Sequence, residues 1–161
     1  MSKNKKIVFS SICILLICFL LVLVLNRNND EVIVEDDSIL LQVKLDIKED
    51  IGLVIYDYSV GGIERSGGVS NADKSLQKHN SVIQIPMNKQ WEFDNLTDIE
   101  DLTIKFAIIT EYVDPNYDNI YPEEYTKTIE TPIHLNAHYG EAYMVTIVGD
   151  KENGYQATFE E

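Results

Sequence analysis

Residues 7–25 form an unbroken run of 19 positions with no charge and nothing more polar than Ser10, Ser11, Cys13 and Cys18. At about 1.5 Å rise per residue, a helix of that length spans roughly 28 Å, close to the hydrocarbon thickness of a bilayer. The run is therefore read as one N-terminal transmembrane helix and set apart from any globular core. A cleaved signal peptide needs small residues just before the cut, and residues 7–25 contain neither Ala nor Gly. A lipoprotein cut at Cys18 would put Ile17, bulky and β-branched, where a small residue is required. An uncleaved anchor is the expectation. Lys3, Lys5 and Lys6 precede the run, whereas Arg27 is followed by Asp30, Glu31, Glu35, Asp36 and Asp37. The positive-inside bias then leaves residues 1–6 as a cytoplasmic tail and puts the rest of the chain outside the cell membrane.

Of the 13 Lys and Arg, three precede the anchor, so 10 face all 27 Asp and Glu beyond it, a net charge of −17. Such a surface repels phosphates and anionic lipid heads, which excludes DNA, RNA and docking on acidic membranes as roles for the exported part. Both cysteines lie in the apolar run, so the exported part has no disulfide. Animal ectodomains of this size are usually stapled; a Cys-free exported domain rich in Lys, Asn and Ile suits a bacterium lacking an outer membrane. Asn95-Leu96-Thr97 matches the N-glycosylation sequon, a tripeptide that recurs often by chance.

Residues 26–37 read as an acidic juxtamembrane stalk, reaching at most about 40 Å when extended. Residues 38–161 are enough for one domain with its own core. Their strongest signal is a period of two: Ile39, Leu41, Val43, Leu45 and Ile47 alternate with less apolar positions, as in a half-buried strand. Further strands are expected at 53–58, at 81–85 ending on Pro86 with a possible continuation through Phe93, and at 102–112. Residues 126–135 read as an edge strand because Pro132 cannot donate to a ladder. Residues 141–148 and 155–159 flank a turn-rich connector and form a hairpin. The Gly-rich stretch 59–80 reads as irregular, with Asn71 capping a short helix through Lys78. Thr97 and Glu100 fit a capping box for one helical turn. Seven or eight strands at this spacing predict an all-β, antiparallel two-sheet sandwich, immunoglobulin-like but without the Cys pair and buried Trp of true immunoglobulin domains.

The sequence between the strands at 102–112 and 126–135 holds the candidate site. Asp114, Asn116 and Asp118 follow the first three ligand positions of a calcium loop, and Glu123 and Glu124 offer further carboxylates. The pattern then departs: Asn119 stands where Gly belongs, and Tyr125 where a bidentate Glu belongs. Tyr112, Tyr117, Tyr121 and Tyr125 bracket the same loop, and tyrosine offers a rigid apolar face with a polar tip at low entropic cost, as in antibody paratopes. His134 and His138 are spaced as zinc ligands on a helix, but a strand pattern with Pro132 surrounds them. There is no Gly-x-Ser-x-Gly elbow and no exported Cys for nucleophilic catalysis. Carboxylate pairs such as Asp36-Asp37 and Glu100-Asp101 read as solubilising charge.

The expected function is that of a non-enzymatic, membrane-anchored module that binds an envelope protein or a glycan and needs no cofactor. The alternatives are a structural subunit that self-associates through a sheet edge, with the Pro132 strand as the discriminating edge, and a calcium-stabilised adhesion-type domain. The anchor reading predicts that intact-mass measurement of the protein extracted from membranes finds residues 1–25 still attached. A mass lacking them would end that reading.

Overall fold

The computed structural model describes residues 33–111 and 122–159; the predicted anchor and cytoplasmic tail lie outside these. Every named element within them is a strand: β1 (Ser38–Ile47), β2 (Leu53–Val60), β3 (Ile63–Val69), β4 (Val82–Asn88), β5 (Ile99–Ile109), β6 (Thr126–Thr128), β7 (Ile133–Ala137), β8 (Ala142–Asp150) and β9 (Gly154–Phe159). They form two sheets. One has the order β4-β1-β8-β9; the other runs β3-β2-β5, with β6 and β7 both paired to β5. Because Tyr58 and Ile104 pair with each other and Ile104 also pairs with Ile133, β7 lies on the side of β5 away from β2.

The alternation read from β1 holds. Ile39, Leu41, Val43, Leu45 and Ile47 are buried in one core with Val145 and Ile147 of β8, Ile83, Ile85 and Met87 of β4, and Val54, Ile104, Phe106 and Ile108 of the second sheet. Val43, Leu45, Val54, Ile104 and Ile108 are fully buried. Burying one such side chain contributes about 1.5–3 kcal/mol, so this shared core is what holds the two sheets face to face.

The chain departs from the sequence reading at six places. The sandwich is not antiparallel throughout: β1 pairs in parallel with β8, from Leu40 opposite Ala142 to Ile47 opposite Gly149. Parallel neighbours need a crossover, and here nearly the whole domain supplies it. The described residues hold nine strands, because 126–135 divides into two and because the Gly-rich stretch holds β3, an edge strand with few apolar residues that pairs with β2 from Val54 opposite Val69 to Val60 opposite Ile63. Residues 71–78 contain no helix. Lys74 has φ +61°, and the Asn71 amide donates to the carbonyls of Ser75 and Leu76 instead of accepting a helix N–H. The Thr97 hydroxyl likewise turns to Asp98, and Ile99 is already paired with Ala137 as the first residue of β5. Lastly, residues 126–135 are not one strand: Pro132 falls in the gap between β6 and β7. Pro86, placed at a strand end, instead lies inside β4 opposite Leu40, on a sheet edge where a missing N–H is tolerated.

Gly149 ends the parallel pairing and begins the β8–β9 hairpin with φ +124°; a Cβ there would lie 2.2 Å from the Gly154 carbonyl oxygen. Gly154, also at positive φ (+88°), has nothing within 4 Å of such a Cβ. Gly149→Ala is expected to destabilise by about 3 kcal/mol or more, against about 1 kcal/mol for Gly154→Ala. Denaturant melts followed by far-ultraviolet circular dichroism measure both, and equal losses would remove the backbone clash as the cause.

Candidate interaction end of the sandwich

Connections at the two ends of the sandwich differ. The chain enters β1 at Ser38, beside the end of β4 and the start of β8, since Ser38 pairs with Asn88 and Leu40 with Ala142. At the far end lie the β1–β2 turn, residues 70–81, the β8–β9 turn and the connection from β5 to β6. The predicted tyrosine and aspartate loop belongs to that last connection. Tyr112, Tyr117, Tyr121, Asp114, Asn116 and Asp118 lie outside the described residues; Glu123, Glu124 and Tyr125 are described, the two glutamates exposed and Tyr125 half-buried.

The roots of the loop are tied down by backbone bonds. The Thr110 N–H donates to the Tyr125 carbonyl at 2.9 Å. Pro122 is buried, and its carbonyl accepts from the Tyr125 N–H at 3.0 Å, the Thr126 N–H at 3.1 Å and the Thr126 hydroxyl at 2.8 Å. The loop thus leaves and rejoins the scaffold through a fixed base beside Ile109, which pairs with Leu53 and Thr126.

Around this base, side chains join all the neighbouring turns. Asp50 accepts from the Lys78 ammonium at 2.6 Å and the His79 N–H at 3.0 Å, with His79 Nδ1 at 2.8 Å. Asp150 pairs with Lys48 and accepts from the Glu152 and Asn153 N–H groups at 3.0 and 2.7 Å. Glu49 accepts from the Lys151 N–H at 2.7 Å and from the Tyr155 hydroxyl, and Lys151 pairs with Glu111 at the loop's first root. Lys78 beside Asp50, and Lys48 beside Asp150, hold both carboxyl groups well below the usual range. Burial, reinforced by the Glu49 carboxylate, pushes the Tyr155 phenol well above its ordinary value. Tyr58, on the other side of the sandwich, is raised likewise by burial and by its bond to Glu92. This network was not foreseen from sequence, because its members come from turns far apart in the chain and carry no spacing.

Other concave surface among the described residues is open, including a depression of about 510 Å³ beside Asp98, Glu100, Asp101 and His138. An open depression of about 420 Å³ on the outer face of the second sheet is lined by residues of both signs, among them Asp57, Glu64, Arg65 and Lys105. Ser66 donates to Asp57, and Arg65 reaches Asp94 at 3.0 Å. Among the described residues no three His, Cys, Asp or Glu side chains gather as a metal site. His134 lies in β7, 3.1 Å from the Thr103 hydroxyl and 3.4 Å from Asp101, while the His138 N–H donates to the Tyr143 hydroxyl beyond the strand's end.

Neither a protein-family model nor a curated protein sequence matches the chain. Among solved structures, the human-specific toxin intermedilysin is similar at 8% identity and a TM-score of 0.36, over 77% of this chain and 24% of that one. The membrane-binding domain of pneumolysin is similar at 11% identity and a TM-score of 0.35, over 77% of this chain and 96% of that one. Whole pneumolysin is similar at 10% identity and a TM-score of 0.32, over 79% and 24%. The chain therefore spans about a quarter of the whole toxins, and scores this low carry no argument about function.

The shifted groups set the pH dependence. Asp50 and Asp150 ionise at lower pH in the folded state, so their stabilisation is complete above about pH 4 and is lost as pH falls below it. Tyr58 and Tyr155 are raised, so their contribution is complete below about pH 10 and is lost as pH climbs past it. Melting temperature should fall on both flanks, with Asp150→Asn flattening the acid limb and Tyr155→Phe the alkaline one. Wild-type limbs in both variants would contradict the assignment.

Proposed function

We propose that the chain is a single-pass, membrane-anchored protein whose extracytoplasmic β-sandwich, immunoglobulin-like in the broad sense of two sheets presenting loops at their ends, is a non-enzymatic binding module. The observation that supports this reading is the polarity of the sandwich. The chain joins the domain at Ser38, and the loop at 112–121 is rooted at the opposite end of β1, ten residues away. At about 3.3 Å per residue that places the loop's base roughly 33 Å from the point where the anchor segment joins. A rigid scaffold presenting a loop away from its tether is the common arrangement of recognition domains. Tyr117 and Tyr121 supply rigid amphipathic contacts, and the partner is an envelope protein or a glycan. The interruption of the β6–β7 edge at Pro132 favours recognition by the loop over self-pairing along that edge.

Photo-crosslinking of the full chain in its native membranes tests this reading. A discrete adduct is expected from probes in residues 112–121, reduced at least about tenfold by Tyr117→Ala with Tyr121→Ala, the loss typical of removing an aromatic anchor. An adduct unchanged by both substitutions would refute the loop as the contact. The same preparation addresses calcium. A native-state ligand at a hundred times its Kd stabilises by about 2.7 kcal/mol, whereas relief of charge repulsion is reproduced by any salt of equal ionic strength. Millimolar calcium is expected to raise the melting temperature no more than matched sodium chloride. A calcium-specific rise abolished by Asp114→Ala and Asp118→Ala would make the loop a metal site.

A further inference from the structure

The two sheets have four edges, and three are defended against pairing with another chain. The β4 edge carries Pro86 in its middle. The β3 edge carries Glu64 and Arg65, with Arg65 held by Asp94 of the β4–β5 connection. The third edge is cut at Pro132 into β6 and β7, of three and five residues. Proline, charge and interruption are the usual means by which sheets avoid edge-to-edge association.

The fourth edge, β9, has none of these. Its six residues, Gly-Tyr-Gln-Ala-Thr-Phe, include no proline and no charge. Its register with β8 is unbroken from Val145 opposite Phe159 to Asp150 opposite Gly154. Among the described residues its backbone makes no hydrogen bond outside that ladder. Tyr155 and Ala157 turn into the core, leaving Gln156 and Thr158 exposed as uncharged hydrogen-bonding side chains.

We propose that β9 pairs antiparallel with β9 of a second copy, joining the two four-stranded sheets into one eight-stranded sheet about a two-fold axis. A second copy is the partner this edge fits because an antiparallel strand is its own complement under a two-fold. The net charge of −14 opposes association of two copies, and β9 limits that repulsion because it holds no carboxylate of its own, the nearest in sequence being Glu152 and Glu160. Gln156 and Thr158 of one copy then face the same pair on the other, a favourable polar cross-strand arrangement. Six residues bury less than the roughly 1,200 Å² of a standard stable interface. The association is therefore weak in dilute solution, and tethering strengthens it by raising the effective concentration. The tethering step rests on the anchored reading proposed above, whereas the β9 pairing itself does not. This inference goes beyond the binding role and does not depend on the loop.

The test uses the full chain with Cys13→Ser and Cys18→Ser. Gln156→Cys with Thr158→Cys, both at exposed positions, is oxidised in membranes, beside Val82→Cys with Gln84→Cys on the β4 edge. Disulfide-linked dimers are expected from the β9 pair at least tenfold above the β4 pair. Equal yields, or none from β9, would overturn the proposal. In parallel, sedimentation of the detergent-solubilised chain at rising concentration should show a dimer that Gln156→Asp with Thr158→Asp removes and Gln84→Asp leaves. Circular dichroism establishes that each variant is folded. A folded β9 aspartate variant that still dimerises to the same extent would also sink the idea.

Discussion

Strand β1 is the inner strand of its sheet that must be met on one side by β4 and on the other by β8, which follows most of the domain in sequence. Until β8 arrives, Leu41, Val43 and Leu45 have half a sheet to pack in, and the row opposite the second sheet is incomplete. The parallel β1–β8 ladder is thus the closure on which the core depends. It spans eight residue pairs, Leu40–Ala142 to Ile47–Gly149. Contacts of this sequence separation have to recover a large loop-closure entropy before they stabilise anything. The domain therefore has no smaller cooperative unit containing β1.

The two ends of the sandwich are held differently. At the Ser38 end and along the β3–β4 side, apolar contact prevails. Tyr58 meets Phe93 edge-on at 5.9 Å between ring centroids, Phe93 meets Tyr139 at 6.1 Å, and Lys89 lies 5.0 Å from the Tyr139 ring centre. Phe93 is fully buried, so the β4–β5 connection is part of the core. At the opposite end the turns are joined by charge and hydrogen bonds through Glu49, Asp50 and Asp150. One end is fixed by packing; the other is stitched at its surface.

How much of this was legible in the sequence follows from what each element buries. β1, β5 and β8 alternate because one face is in the core and the other is outside it, so a period of two reveals them whichever way their neighbours run. For the same reason that period says nothing about direction, and the parallel pairing of β1 with β8 could not be read from it. β3 was invisible because an edge strand reading Ile-Glu-Arg-Ser-Gly-Gly-Val buries little. Its Gly67 is there for close approach: a Cβ would sit 2.3 Å from the Tyr56 ring. The capping signals at 71–78 and 97–100 do not make helix because other local hydrogen bonds take those groups, to the Ser75 and Leu76 carbonyls for Asn71 and to the Asp98 carboxylate for Thr97. Of the candidate site, the loop's composition was legible, while its fixed base was not. That base depends on Pro122, whose carbonyl takes three hydrogen bonds, and no spacing rule announces such a residue.

The stitched end has a consequence for how a loop there works. Lys48, Lys78 and Lys151 are each paired, but Lys48 and Lys78 remain about three-quarters exposed (75% and 74%) and Lys151 about half (49%). Their partners Asp150 and Asp50 are only 10% and 23% exposed, so of the three pairs only Lys151–Glu111, half-exposed on both sides, is of the kind that contributes about 0–1 kcal/mol and weakens with salt. Breaking that pair parts Lys151 from Glu111, while Ile51 stays bonded to Gln77 in both directions and Ile109 stays paired with Leu53 and Thr126. Separating Glu111 from Lys151 therefore costs far less than unfolding. The same exchange at the Ser38 end would have to expose Phe93. The scaffold thus places its weakest tie beside Glu111, at the root of the connection from β5 to β6, and its packed aromatic rings toward the Ser38 end.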